Sequence, residues 1–379
     1  MRENAPVLVW PRLLRLPPGA LKIVYLDLNH WIYLAQAASG SPQNKSAVVA
    51  LEACRAARRA GAATFVLSGT HYAEMLKIRD PAQRRAIADV MEELTDFATL
   101  VSRVVIMEVE LSSVLDLIAK LPSPLAEVPL IGRGVRHSAG LQSGLKTMGP
   151  NGDETERVRE RLGRETFDRF IAGATLGMER SVLRGPTDDE VAETRAYGWN
   201  PDAVIQIAEN RAAEERAQTT RLDAETRWRR GRLHDLVSAR ELMIEFQNIL
   251  PRALKERGLA LTDVASDKES ARRLVRSMPS TEVSIAIKTA WHRNRDKQWS
   301  ANDIYDIDAL ALAVPYCDIV VTEKACHHVL QASHLGERMH TALLRSLDEL
   351  PSAIDQWQPM RRPIIGADDS TGSAKFERS

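Results

Sequence analysis

Four acidic residues stand where the sequence predicts that strands end or that helices follow them. Asp27 lies near the end of the run KIVYLDLN, Glu74 lies in the helix after the next strand, and Glu323 directly follows the strand DIVVT. Asp306 belongs to NDIYDID, which opens a helix leading into that last strand. In an open α/β sheet such positions converge at the carboxyl edge. Carboxylates that meet there repel each other unless a cation neutralises them.

Converging carboxylates suit the hydrolysis of a phosphodiester. That reaction requires stabilisation of charge on the phosphoryl oxygens and a hydroxide made from water, and Mg²⁺ or Mn²⁺ held by oxygen ligands supplies both. Asp303 lies three residues before Asp306 and shares its helical face, so either of the two could be the direct ligand. The residues predicted to be metal ligands are Asp27, Glu74, Asp303, Asp306 and Glu323. Catalytic roles are predicted for the same set without Asp303.

Each acidic residue alone also has an ordinary structural interpretation. A single aspartate after a strand is usually a turn or helix-cap residue, and a single helical glutamate such as Glu74 is more often a surface acid. Asp303 and Asp306 could be favoured by the dipole at a helix N-terminus. We adopt that interpretation outright for Asp308. The order of the remaining acids around one sheet is more informative than any one of them.

The elements that must position these residues alternate between strand and helix in two separate parts of the chain. The first part predicts strands at Lys22–Asn29, Ala63–Ser68 and Val104–Met107, with helices between them. The second part predicts a helix over Asp303–Tyr316, a strand over Asp318–Thr322, a further helix and a last strand in MHTALLRSL. This alternation indicates a parallel sheet covered by helices.

The segment between these two parts differs in composition. It is rich in Arg and Glu and nearly free of strand patterns, which predicts a large helical insertion whose interleaved charges form a solvated face. The tail has little apolar content, which predicts disorder. The predicted organisation is an extended leader over 1–20, a first α/β part over 21–107, the insertion over 108–277, a second α/β part over 278–350 and the tail over 351–379.

Composition and charge exclude several classes of protein. The chain has 379 residues, which is about right for two domains. Its three cysteines form no CxxC pair, which favours a reducing compartment and argues against disulfides or structural zinc. Neither a signal peptide nor a membrane-length apolar run is predicted, so we expect a soluble, cytoplasmic protein. The formal net charge is zero, but an acidic site can offset basic patches elsewhere.

Two basic segments are candidates for contact with a nucleic acid. WHRNRDKQW precedes the acidic cluster and TRWRRGR lies in the insertion. Arginines and aromatic rings can grip phosphates and stack on bases, although packed tryptophans or a helix end would explain these segments equally well. The candidate nucleic-acid contacts are Arg229, Arg230, Arg293, Arg295 and Lys297.

The ordered set of acids resembles the PIN-domain family. Its members have a first strand ending in Asp, often with Asn or Ser two residues on, as in YLDLN with Asp27 and Asn29. A helical Glu follows a strand ending in Ser, as in VLSGTHYAE with Glu74. An Asp heads an Ala-rich helix that leads to a strand ending in Thr with another acid beside it. In DIDALALAVPYCDIVVTEK these residues are Asp306, Thr322 and Glu323.

The resemblance covers the PIN-like parts 21–107 and 278–350 and does not reach the insertion. It implies an α/β fold with a three-layer α/β/α parallel sheet and metal-dependent cleavage of single-stranded or structured RNA, often in a toxin, RNA-processing or defence role. Asn29 and Thr322 would then support the site. The expected cofactor is Mg²⁺ or Mn²⁺, and the expected partner is RNA rather than a membrane. The insertion is also a candidate surface for a second copy of the chain or for a partner protein.

Two alternative functions belong to other classes. The segments LDLN and ND-x-x-D distantly echo the acidic motifs of haloacid-dehalogenase-like phosphatases, but Asn29 stands where that chemistry needs a general acid. A binding module for nucleic acid or protein could instead keep the fold with a weakened site. Glu323, in place of the usual Asp of the family, keeps this last alternative open.

Overall fold

The computed structural model describes residues 7–18, 21–122, 127–141, 144–196 and 200–358. This described part is mostly helical, with short strands between the helices. The strands are β1 (Leu14–Arg15), β2 (Lys22–Leu26), β3 (Ala63–Val66), β4 (Ala98–Leu100), β5 (Val128–Pro129), β6 (Ile131–Arg133), β7 (Met148–Gly149), β8 (Gly152–Asp153), β9 (Ile319–Val321) and β10 (Ala342–Leu344).

The helices of the two α/β parts flank these strands in chain order. They are α1 (Leu28–Ala38), α2 (Lys45–Arg59), α3 (Gly69–Met75), α4 (Pro81–Thr95) and α5 (Arg103–Ala119) in the first part. The helices of the second part are α15 (Pro279–Arg293), α16 (Ala301–Tyr316), α17 (Lys324–Ala332), α18 (Leu335–Met339) and α19 (Leu350–Gln356). None of the helices in the described ranges has the length and apolar character needed to cross a bilayer.

The remaining helices fill the segment 108–277, whose described residues are mostly helical. They are α6 (Gly134–Ser138), α7 (Thr155–Leu162), α8 (Arg164–Arg184), α9 (Val191–Ala196), α10 (Pro201–Ala224), α11 (Leu233–Ile244), α12 (Ile249–Glu256), α13 (Leu261–Val264) and α14 (Lys268–Arg276). The short antiparallel pairs β7–β8 and β4–β6 also involve this segment. α5 crosses the boundary expected at residue 108 without interruption.

The central sheet is parallel and has the strand order β10-β9-β2-β3. Val24 in β2 lies opposite both Phe65 in β3 and Ile319 in β9, so the two halves of the chain meet at β2. Beyond β3, a parallel bridge between Leu67 and Thr99 brings β4 alongside the sheet. The α/β class expected from the sequence is therefore observed.

Alternate residues of the strands enter two different hydrophobic cores. Ile23 and Tyr25 pack with apolar residues of α5, α15 and α16. Val24 and Leu26 pack with α1, α2 and α4. Because successive side chains of a strand point to opposite faces, both faces of the sheet are covered by helices. This double burial explains why the strands read as continuous apolar runs.

The observed strands are shorter than the predicted ones, and one predicted strand is part of a helix. The strand predicted at Val104–Met107 is wrong, because those residues lie inside α5. The hydroxyl of Ser102 accepts a hydrogen bond from the Val105 amide at 3.3 Å and caps that helix. The run Ala98–Leu100 is the strand instead. The first strand ends at Leu26 rather than Asn29, because Asp27 is the N-cap of α1.

The N-terminal and C-terminal segments are partly described. β1 of the expected leader pairs in parallel with β5, so Leu14 and Arg15 are fixed by the sheet pair rather than merely extended. α19 occupies the beginning of the tail predicted to be disordered. The rest of that prediction, from residue 359 onward, lies outside the described residues.

The insertion is joined to the α/β part by a network of partly buried ion pairs. Arg103 of α5 donates to Glu241 at 2.8 Å and to Asp308. Arg211 of α10 also donates to Asp308, at 2.9 Å, and to Glu245 at 3.2 Å. These contacts correct two expectations. Part of the charged surface of the insertion is buried, and Asp308 is an ion-pair partner in the eighth position of α16 rather than an acid of its first turn.

The network continues along the face of α15. Lys288 donates to Glu241 at 2.6 Å, and it lies 3.5 Å from Glu215. His292 approaches Glu215 at 2.9 Å through Nε2, and Arg240 donates to the same carboxylate at 2.6 Å. Buried charges of this kind require all their partners, because removing one leaves an uncompensated charge in a medium of low dielectric constant. The network therefore fixes α10 and α11 against α15 and α16.

The dependence of the fold on this network can be measured with Asp308→Asn. The substitution leaves the guanidinium groups of Arg103 and Arg211 facing a neutral side chain. We expect the free energy of unfolding, measured by urea denaturation, to fall by roughly 3 kcal/mol. Asp348→Asn is the matched control, because Asp348 is exposed. Equal stability of the two variants would show that the network does not hold the insertion in place.

Candidate active site at the carboxyl edge of the sheet

Asp27 lies where β2 ends and α1 begins, at the carboxyl edge of the sheet. Its backbone amide donates to the carbonyl of Val321 at 3.0 Å, which continues the pairing of β2 with β9. Its side chain accepts from the amide of Leu28 at 2.7 Å, and the backbone of Glu323 also hydrogen-bonds this carboxyl group. Asp27 is thus a helix cap, as the ordinary interpretation predicted, and it directly follows β2, which has a neighbouring strand on each side.

Glu74 reaches the same edge through α3, which begins directly after β3. Ser68 is the N-cap of this helix, and its amide donates to Nδ1 of His71 at 3.0 Å. Nε2 of His71 then donates to the carbonyl of Leu26 at 2.8 Å, in the tautomer that this pair of partners requires. Burial lowers the pKa of His71 to about 4, so the ring is neutral. His71 therefore ties the helix that carries Glu74 to the residue before Asp27.

Asp306 comes from α16, which packs against α3. It is half-buried, whereas Asp303, one turn earlier, is buried and already engaged. The carboxylate of Asp303 accepts from the amide of Ser300 at 2.7 Å and from its hydroxyl at 2.9 Å, and it forms an ion pair with Lys297. Asp303 thus caps the helix, as the structural interpretation predicted. Of the two candidates, Asp306 is the one whose pKa is raised by burial and by the charges of Asp27, Glu74 and Glu323.

Glu323 completes the group from the end of β9. It is exposed, and the side-chain amide of Asn29 in α1 donates a hydrogen bond to its carboxylate. Thr322 is buried, and its backbone amide donates to the carbonyl of Leu344, which joins the end of β9 to β10. Asn29 and Thr322 therefore support the position of Glu323, one through its side chain and the other through the backbone.

The electrostatics show that these carboxyl groups share one environment. Burial raises the pKa of Asp27 to about 6, with a further contribution from the charge of Glu323. Burial and the charge of Asp27 raise the pKa of Glu74 to about 8. Burial and the charges of Asp27, Glu74 and Glu323 raise the pKa of Asp306 to about 8. The structure thus brings together the four acids that the sequence placed at one edge.

The donor set suits a hard divalent cation. Mg²⁺ and Mn²⁺ prefer oxygen ligands, and crowded carboxylates with raised pKa values are stabilised by a positive ion between them. Within the described ranges, however, no group of three or more His, Cys, Asp or Glu side chains is assembled closely enough to hold a metal ion as it stands. Carboxylate oxygens fit such a cation by their chemistry, and Asp27, Glu74 and Asp306 lie near enough to influence one another's ionisation.

The basic candidates occupy different environments. Arg229 donates to Asp223 at 2.7 Å and to the carbonyl of His292, and only 7% of its side chain is exposed. Its role is internal, since it joins the turn of the insertion to the end of α15. Arg230, Arg293 and Arg295 are exposed. Because Arg229 links these two segments, the three exposed arginines belong to one region of the surface.

The aromatic residues of the segment before α16 are packed rather than presented to solvent. Trp291 and Trp299 are buried and form an edge-to-face pair with ring centroids 5.5 Å apart. Lys297 lies 4.6 Å above the ring of Trp291 while it pairs with Asp303. The tryptophans are therefore core residues, and Lys297 is a link between this loop and the head of α16.

Three further residues of the edge were missed by sequence reasoning. His71 positions α3, as described above. Lys77 lies 4.0 Å from Glu74, and the charges of Glu74 and Asp306 oppose the lowering of its pKa by burial. Tyr305 is buried beneath Lys77. Their spacing in the sequence could have revealed them. His71 and Lys77 each lie three residues from Glu74, and Tyr305 is next to Asp306.

Comparisons with known proteins add no assignment. No protein-family model matches the chain, and neither the curated proteins nor the solved structures contain a match.

The charge crowding at this edge predicts a pH dependence of stability. A carboxyl group whose pKa is raised on folding holds its proton more tightly in the folded state, so its contribution falls as the pH rises from about 4 through about 8. Asp306→Asn removes one such group. In EDTA, we expect the variant to be more stable than the wild type at pH 9 by about 1 to 3 kcal/mol, with a smaller difference at pH 5.

The measurement is chemical denaturation at both pH values, with Asp348→Asn as the control for the loss of an exposed carboxylate. A stability difference for Asp306→Asn that stays constant between pH 5 and pH 9 would contradict the raised pKa values.

Proposed function

We propose that this chain is a metal-dependent nuclease with a PIN-type domain, and that it cleaves single-stranded or structured RNA. The observation that carries the proposal is the meeting of three half-buried carboxyl groups, Asp27, Glu74 and Asp306, at the carboxyl edge of a parallel sheet. Asp306 is more than two hundred residues away from Asp27 and Glu74 in the chain. Crowding of this kind destabilises the apo fold, and strongly perturbed pKa values of this kind are concentrated at functional sites.

The architecture supports the PIN-type assignment. The parallel sheet has helices packed against both faces, which is the arrangement that a three-layer α/β/α domain requires. The acids follow β2, β3 and β9 or lie on the helix that precedes β9, in the order expected for this family. Ligands of open α/β sheets bind at this edge, outside the carboxyl ends of the strands.

The proposed division of roles follows from rigidity and exposure. Mg²⁺ or Mn²⁺, when bound, would supply the charge that stabilises the phosphoryl oxygens and lower the pKa of a water molecule. Asp27, on the end of a central strand, would be the principal ligand, with Glu74 and Asp306 completing the set. Glu323 is exposed and held by Asn29, so it is suited to orient water or a second ion.

The substrate would approach along the loop before α16. Arg293 and Arg295 are exposed on this loop, which Lys297 connects to Asp303 at the head of the helix that carries Asp306. An acidic site needs cations nearby to hold a polyanion, and exposed arginines provide them. The three cysteines are buried and form no CxxC pair, which is consistent with a reducing compartment such as the cytoplasm.

The catalytic assignment predicts that Asp27→Asn abolishes cleavage. The amide keeps the shape of the side chain but removes the charge that a cation requires, so the rate should fall by at least about 100-fold. Glu323→Gln should lose less, because an exposed residue that acts through water is easier to replace. The measurement is the cleavage rate of mixed single-stranded RNA and DNA over a range of Mg²⁺ and Mn²⁺ concentrations.

Two controls accompany this measurement. Asp348→Asn removes an exposed carboxylate outside the acidic group and should cleave like the wild type, and melting temperatures establish that each variant is folded. Full activity in Asp27→Asn would overturn the metal mechanism.

The substrate path predicts a change in the salt dependence of RNA binding. Neutralising Arg293 and Arg295 to Gln should reduce the slope of log affinity against log salt by roughly 0.7 for each lost phosphate contact. Arg230→Gln should show a similar change if the insertion contributes to the same surface. Arg59→Gln, at the end of α2, is the matched exposed control. If the salt slopes of all the arginine variants equalled that of the wild type, RNA would not bind along this loop.

A second candidate is a binding module without catalysis. It is favoured by the absence of a closely assembled group of metal-binding side chains among the described residues. The same cleavage and binding measurements separate the two functions, since a binding module would bind RNA without cleaving it in Mn²⁺. The phosphatase alternative has no support at this edge, because Asn29 lies on α1 and donates to Glu323.

A further inference from the structure

Lys77 brings a positive charge to the wall of the acidic site. It follows the end of α3, and its backbone amide donates to the carbonyl of Glu74 at 3.0 Å. Its ammonium group lies 4.0 Å from a carboxylate oxygen of Glu74 and donates to the side-chain carbonyl of Asn302 at 2.6 Å. It also lies 4.4 Å from the centre of the Tyr305 ring.

The partners of Lys77 belong to the face of α16 that carries Asp306. Tyr305 and Asp306 lie three and four residues after Asn302, so both are neighbours of Asn302 on the surface of the helix. The lysine therefore bridges the two helices that supply Glu74 and Asp306. Its position is fixed by a hydrogen bond and a cation–π contact rather than by an ion pair at hydrogen-bond distance.

The ammonium group keeps donors free for a ligand. A lysine has three N–H donors, and among the described residues Asn302 is its one hydrogen-bond acceptor. About a quarter of the side chain is exposed, at 26%. The hydroxyl of Tyr305, a buried residue, also has no hydrogen-bond partner among the described residues. A polyanion entering the acidic site would thus meet an ammonium group that still has free N–H donors.

We propose that Lys77 contacts a phosphate of the nucleic-acid substrate at the acidic site, with Tyr305 and Asn302 holding its ammonium group in place. The inference rests on the proposed nuclease function. A compact ammonium group on a partly exposed side chain suits a non-bridging phosphoryl oxygen. Its charge offsets the repulsion between the carboxylates and a phosphate.

A purely structural role is the alternative, in which Lys77 only balances the charge of Glu74. The two roles differ in a measurable way. A structural counter-ion changes stability but leaves the number of phosphate contacts unchanged. A phosphate contact changes the salt dependence of RNA binding, because each contact releases counterions from the nucleic acid.

The test is fluorescence anisotropy of a labelled single-stranded RNA at several salt concentrations. Binding is measured in the Asp27→Asn background, which is expected not to cleave the probe, with and without Lys77→Met. We expect Lys77→Met to lower the affinity about threefold or more at 0.1 M salt and to reduce the salt slope by about 0.7. Lys77→Arg should restore the slope, and Lys255→Met, an exposed lysine of α12, should leave it unchanged.

The outcomes separate this inference from the proposed function. An unchanged slope in Lys77→Met, or the absence of RNA binding in the Asp27→Asn background, overturns the assignment of Lys77. If Lys77→Met is unfolded, the comparison of Lys77→Arg with Lys77→Gln decides in its place, and equal slopes overturn the assignment. Cleavage by protein with native Asp27 is measured separately, and its absence contradicts the nuclease proposal whatever the result for Lys77.

Discussion

Electrostatic repulsion between carboxyl groups is the constraint on which this structure depends. Asp27, Glu74 and Asp306 are half-buried at one edge. Burial and the neighbouring negative charges raise the pKa of each of these carboxyl groups. Such crowding persists only where rigid elements impose it. The end of a central strand fixes Asp27, and the hydrogen bonds of His71 fix α3 against that strand. The crowded carboxyl groups destabilise the folded state at this edge. Burial of apolar side chains in the two hydrophobic cores of the sheet offsets this cost.

The ion pairs between the insertion and α16 help to hold Asp306 among the other carboxyl groups. Arg103 and Arg211 converge on Asp308, two residues after Asp306, and thereby lock the helix that carries the acid. Burial opposes ionisation of Asp308, but the two arginines hold its pKa below the ordinary value. The helix α16 therefore carries two different aspartates: Asp308, whose charge is balanced by two arginines, and Asp306, whose charge is not balanced. This contrast distinguishes a structural aspartate from a candidate ligand.

The sequence was sufficient to place the acids because one rule governs them: residues after parallel strands meet at one edge. It could not identify the partners of Asp308, since Arg103 and Arg211 are distant in the chain and their pairing depends on how α10 packs. The run Val104–Met107 was misread because an apolar, β-branched segment of this length fits a strand as well as a buried helix. Lys77 was overlooked because its contacts with α16 exist only after folding.

The central claim is that the acidic edge binds a divalent cation used for phosphodiester hydrolysis. The most direct test is anomalous diffraction at the manganese edge from crystals of the protein soaked in Mn²⁺. The account predicts an anomalous peak coordinated by Asp27 together with Glu74 or Asp306, and the loss of that peak in Asp27→Asn. No peak at this edge at saturating Mn²⁺, or a peak bound by Asp27 and Asn29 alone, would contradict it.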